Sequence, residues 1–173
     1  MIRAIRLGLL LIAVVLLQTA VLPQLRIAGG APEVGLVATV AVAFVAGPEA
    51  GAIFGFSAGF ALDLFLSTPL GLSAFAWSIT GYVIGVVEGA LLRTAWWFIP
   101  AVTLLAGLLG GLLFVTLGAV VGEGQLWGWE SLRTVVIAAV YDALIAPLVF
   151  PVVRIALHAA DPRAAARPGG QGW

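Results

Sequence analysis

Five apolar stretches fill most of the chain from Leu7 to Leu157, and their length is the strongest constraint on the fold. An α-helix rises about 1.5 Å per residue, so a hydrocarbon layer about 30 Å thick takes about 20 apolar residues, with a range near 17–25. Leu7–Leu22 is slightly short of that length, while Gly71–Leu92, Trp96–Val121 and Leu132–Leu157 reach it. Val34–Leu66 is too long for one span and short for two. Gly47-Pro48-Glu49 divides it, because proline cannot donate a hydrogen bond to the preceding turn and restricts the residue before it. Two short, closely packed helices are expected there. The sum is an all-α, polytopic membrane bundle of about six transmembrane helices.

Composition leaves little room for another class. Apolar types make up 62% of the 173 residues and charged types 9%, with mean hydropathy +1.17. Soluble domains run at about 45–50% and about 25%. A sphere of this size could not hide so much apolar surface from water, so lipid must cover it. The formal net charge is zero and no block of like charge exists, which argues against nucleic acid as a partner. The chain has no Cys, which excludes disulfides, thiolate metal sites and iron–sulfur clusters. Its one histidine, His158, cannot make a histidine-based metal site, and no cofactor is expected.

The breaks between stretches set the topology. Pro23–Glu33 carries Pro23, Gly29, Gly30 and Pro32, and Ser67–Leu70 is a tight turn with Pro69. Gly122–Glu130 is polar and glycine-rich, with Trp127 and Trp129 suited to the headgroup zone. Pro147 and Pro151 are expected to interrupt the last span. Residues 1–160 form the bundle, and Asp161–Trp173, mostly Arg, Ala, Pro and Gly, reads as a disordered tail. Arg3 and Arg6 before an apolar run resemble a secretory signal. Cleavage after Ala20, however, would put Gln18 where a small residue is needed, so an uncleaved span is favoured. Six spans place both termini on one side. With the N-terminus cytoplasmic, Arg3, Arg6, Arg93, Arg154, Arg163 and Arg167 face inward and only Arg26 and Arg133 outward, so the excess of arginine selects cytoplasmic termini.

Two kinds of residue carry a mechanism. Gly51, Gly55 and Gly59 recur at four-residue steps ahead of Asp63, and Gly81, Gly85 and Gly89 do so on the next span. That step keeps them on one helix face, where the missing side chain lets another backbone approach closely. The stripes serve either packing within the bundle or docking of another protein's transmembrane helix. Weaker stripes are Gly107/Gly111 and Gly118/Gly122. Ionisable groups at membrane depth are costly and are functional candidates by default. Asp142 falls near the midplane, while Asp63 and Arg133 fall at similar depth toward the outer end, where they could pair. Asp142 could hydrogen-bond a neighbouring helix, couple to a partner or lie on a proton or ion path. Glu49, Glu88, Arg93 and Arg154 fall toward the cytoplasmic face. No nucleophile, base and orienting group come together in the sequence, so no catalytic residue is assigned.

Leu17-Gln18 with Pro23, Pro32-Glu33, Gly55-Phe56-x-x-Gly59-x-x-x-Asp63, Pro69-Leu70-Gly71, Gly81-Tyr82-x-x-Gly85, and Tyr141-Asp142 with Pro147 form an ordered set. In order and spacing it resembles the bacterial rod-shape-determining protein MreD family over Leu7 to Leu157. The family commonly has Asn where this chain has Asp142. The resemblance implies a multi-pass, non-enzymatic protein of the bacterial cytoplasmic membrane that belongs to the cell-elongation complex and helps control peptidoglycan synthesis and rod shape. The implied partner is a bitopic MreC-like protein, linked indirectly to actin-like MreB and to wall-synthesising enzymes. The resemblance also implies a fold like the substrate-binding subunits of energy-coupling-factor vitamin transporters, which supplies the rival reading. Those relatives carry an Ala-x-x-x-Ala-type motif on the first helix, where this chain offers only Ala4-x-x-x-Gly8.

Overall fold

The computed structural model describes residues 2–20, 30–65, 69–88, 97–122 and 127–158. Those residues form six α-helices: α1 (Ile2–Ala20), α2 (Val34–Ala46), α3 (Pro48–Asp63), α4 (Leu72–Glu88), α5 (Phe98–Val121) and α6 (Trp129–His158). Gly89, Arg93, the loop at Pro23 and the tail Asp161–Trp173 lie outside them.

Among the described residues, only α5 and α6 are long and apolar enough to cross a bilayer. The 13 residues of α2 reach about 20 Å and the 16 of α3 about 24 Å. Two long apolar helices and three shorter ones, α1, α2 and α4, are compatible with a membrane helical bundle. The outward surface supports the same class. Only 28% of the apolar stretch of α5 and 33% of that of α6 is buried inside the protein. A core helix of a soluble protein would be mostly covered. Leu144, Leu148, Val152 and Ile155 instead form an exposed strip along α6.

α2 is the centre. Eleven of its residues are buried, and it touches each of the other five helices. A helix apolar on every side is stable only when enclosed. Its link to α3 is a single residue, Gly47, whose φ of 93° lies in the left-handed region that favours glycine. Gly47 N–H donates to Ala43 O at 2.9 Å, closing α2, and Pro48 then opens α3, where its missing N–H costs nothing. The expected break at Gly47-Pro48-Glu49 is therefore one residue wide.

Contacts along the chain make α2 antiparallel to α3, α3 to α4, and α5 to α6. Ala43 lies against Gly51 and Thr39 against Gly55; Gly51 lies against Gly81; Ala139 lies against Gly107 and Val135 against Gly111. Arg6 Nη1 donates to Ala156 O at 3.4 Å, so the start of α1 sits beside the end of α6.

The last helix differs from expectation. Pro147 and Pro151 lie within α6 and do not interrupt it. Both face outward, one turn apart. The two lost N–H donors therefore fall on one side, where the helix can open slightly while its inner side stays bonded.

Candidate functional site

Every described glycine of the two long stripes meets another helix of the same chain. A Cβ on Gly55 would lie 2.5 Å from Trp77 O, and one on Gly59 would lie 2.6 Å from the backbone of Ser73 and Ala74. A Cβ on Gly81 would lie 2.6 Å from Gly51 O, and one on Gly85 would lie 2.5 Å from Pro48 Cα. Ordinary contact begins at 3.4 Å. The α3 and α4 backbones therefore touch directly, and only glycine permits it. The Thr39 methyl of α2 fits against the pair, 2.7 Å from the position a Cβ would take on Gly55 and 2.8 Å from that on Gly81. These five glycines leave no space for a helix of another protein. Gly8 on α1, by contrast, has nothing within 4 Å.

The close approach at Gly59 also positions Asp63. The Asp63 side chain, 1% exposed, accepts from Gly71 N–H at 2.9 Å, Ser73 N–H at 3.1 and 3.3 Å, and Ala74 N–H at 3.4 Å. The carboxylate at the end of α3 thus caps the start of α4, where unsatisfied donors and the helix dipole both favour negative charge. Gly71, with φ of 95°, turns the chain so that these donors converge. The pairing of Asp63 with Arg133 that shared depth allowed is not formed. Asp63 is engaged by backbone, and Arg133 is exposed on α6.

Asp142 anchors a second polar cluster, around the non-helical segment Gly30–Glu33. Its Oδ1 accepts Glu33 N–H at 2.6 Å. Gln18 of α1 spans the same segment: Nε2 donates to Pro32 O at 3.2 Å, and Oε1 accepts Gly35 N–H at 3.4 Å. The Trp77 ring covers Gly35 so tightly that a Cβ there would overlap it. Gln18, Pro32, Glu33 and Asp142, set as much as 124 residues apart in the chain, meet at one point; all four belong to the motif set described above. The sequence pattern marks Pro32 and the glycines before it as helix breakers and does not single out Glu33 as a site residue. The available signal was its position directly ahead of an apolar run with no polar face.

Between Val14, Gln18, Gly35, Leu62 and Trp77 lies a narrow crevice too small to admit a water molecule. No group of three or more His, Asp or Glu side chains among the described residues could hold a metal ion. At the opposite end of the bundle Glu49 and Arg154 are exposed and Glu88 is buried. No family model matches the chain, and comparisons with curated proteins and with solved structures give no significant match.

Proposed function

We propose that this chain is a non-enzymatic scaffold of the bacterial cytoplasmic membrane, related to the MreD family, with six spans and both termini in the cytoplasm. Its working surface is the outside of the bundle, where it holds the membrane helix of an MreC-like partner and helps control peptidoglycan synthesis and rod shape. One observation carries the scaffold reading: the interior is spent on packing. Glycines join α3 to α4 backbone to backbone, and the side chains of buried Asp63 and Asp142 and half-buried Gln18 bind main-chain atoms of the same chain. A small-molecule site needs a cavity with several convergent polar groups free to face a ligand. The crevice beside Trp77 offers no such room.

The membrane assignment draws on the exposed apolar strips of α5 and α6 and on exposed tryptophans at helix ends, Trp97 ahead of α5 and Trp127 and Trp129 at the start of α6. Tryptophan concentrates at membrane–water interfaces. The partner and the process come from the family resemblance alone. The rival is a substrate-binding subunit of a vitamin-type transporter.

Depletion from a rod-shaped host, with purification of the chain from native membrane, separates the two. The scaffold reading expects rounding and lysis, co-purification of a single-span MreC-like protein, and no stoichiometric small molecule by mass spectrometry. One tightly bound small molecule per chain, with cell shape unchanged on depletion, would overturn it in favour of the transporter.

A further inference from the structure

The cluster around Asp142 leaves one atom unaccounted for. Asp142 is 1% exposed, and while its Oδ1 accepts Glu33 N–H, its Oδ2 has no hydrogen-bond partner. Among the described residues no other buried side-chain oxygen or nitrogen is left so.

No positive charge faces that oxygen from any helix packed on α6. Directly ahead of α2 comes Glu33, a second carboxyl residue, whose backbone N–H lies 2.6 Å from Asp142 Oδ1. α5 contains no ionisable residue and presents Gly107, where a Cβ would lie 3.5 Å from Oδ2. α1 brings neutral Gln18 to this level, and Arg6 lies about 18 Å further along by helix rise. α4 reaches the cluster through Trp77, with Tyr82 and Glu88 further toward its end. On α6 itself Tyr141 is adjacent, and Arg133 and Arg154 are about 14 and 18 Å away along the axis and exposed.

An isolated buried carboxylate is strongly disfavoured. A metal ion would need several ligands, and no group of three or more His, Asp or Glu among the described residues could supply them. A proton needs no such group. We propose that Asp142 is a proton-binding site, with a single proton taken from bulk water held on Oδ2 at neutral pH. The carboxylate oxygen gains the proton and forms one O–H bond, with no change of oxidation state. Oδ1 is then the carbonyl oxygen that accepts Glu33 N–H, which is the geometry seen. Occupied, the site lets segment Gly30–Glu33 rest against α6; emptied, it leaves a buried negative charge without a positive partner beside that segment.

Infrared spectroscopy of the full chain in lipid nanodiscs at neutral pH tests this. The expected result is the carbonyl stretch of a neutral carboxylic acid, unchanged by sodium or potassium, lost in folded Asp142→Asn, and shifted by carboxyl-¹³C aspartate. The chain has three aspartates, Asp63, Asp142 and Asp161. A labelled band that survives both Asp63→Asn and Asp161→Asn belongs to Asp142 even where Asp142→Asn does not fold. Absence of the band overturns the proposal, as does a band that ignores the aspartate label, persists in folded Asp142→Asn, or is abolished by sodium. None of these outcomes bears on whether the chain is a scaffold.

Discussion

Gly55→Ala adds one methyl group where the structure has none to spare. The new Cβ would stand 2.5 Å from Trp77 O, 2.7 Å from the Thr39 methyl and 2.8 Å from Trp77 C. Two of these three atoms are backbone in the middle of α4 and cannot rotate away. To reach ordinary contact at 3.4 Å, α3 and α4 must separate locally by about 0.9 Å, the shortfall in contact distance that an incompressible, close-packed interior cannot absorb. Overpacking of this kind costs about 1–3 kcal/mol, and rigid neighbours put this case near about 3. Alanine's better helix propensity returns about 1, leaving a net loss of about 2 kcal/mol. Gly8→Ala is the internal control. It gains about 0.5–1 kcal/mol of propensity and meets nothing within 4 Å. The two variants should thus differ by about 3 kcal/mol in equilibrium unfolding by detergent, followed by far-ultraviolet circular dichroism. Equal midpoints for the two would refute the close-packing argument.

Asp63→Ala removes the acceptor for three main-chain donors, two of them buried, at a cost of about 1–3 kcal/mol, and hydrogen exchange should quicken at Gly71, Ser73 and Ala74 while α6 is unaffected. Unchanged exchange at those amides would dismiss the capping role. Topology can be read with single cysteines, since the chain has none of its own. Ser67→Cys and Gly124→Cys should react with an impermeant thiol reagent on intact cells and Arg163→Cys should not; the reverse pattern would invert the orientation.

The helices were legible where one residue type dictates geometry. Apolar length marked five stretches, and the break at Gly47-Pro48-Glu49 divided one of them into α2 and α3. The four-residue glycine step put three glycines on one face of α3, and that face lies on α4. Other features depended on which distant groups meet. Asp63 could be placed at a depth but not given a partner, because its partners are main-chain donors of the next helix, whose identity no side chain encodes. Glu33 was hidden by Pro32, which signals a turn without saying whether that turn is wet or buried. Pro147 and Pro151 misled because their effect depends on facing. Turned outward, each removes a hydrogen bond that α6 can lose without ending.

The short central helix explains why the chain carries polar residues at depth at all. α2 covers only about 20 Å, so it must begin inside the bundle, and the non-helical Gly30–Glu33 leads into it there. Irregular backbone at membrane depth survives only where protein supplies its hydrogen bonds. Gln18 and Asp142 do so for Pro32, Glu33 and Gly35, as Asp63 does for the start of α4. Among the described residues, Asp142 Oδ2 is the one buried side-chain polar atom without a hydrogen-bond partner. Glycine contacts hold α3 against α4 too closely for a side chain at Gly55, Gly59 or Gly81, and the apolar strip of α6 is left exposed on the outside of the bundle.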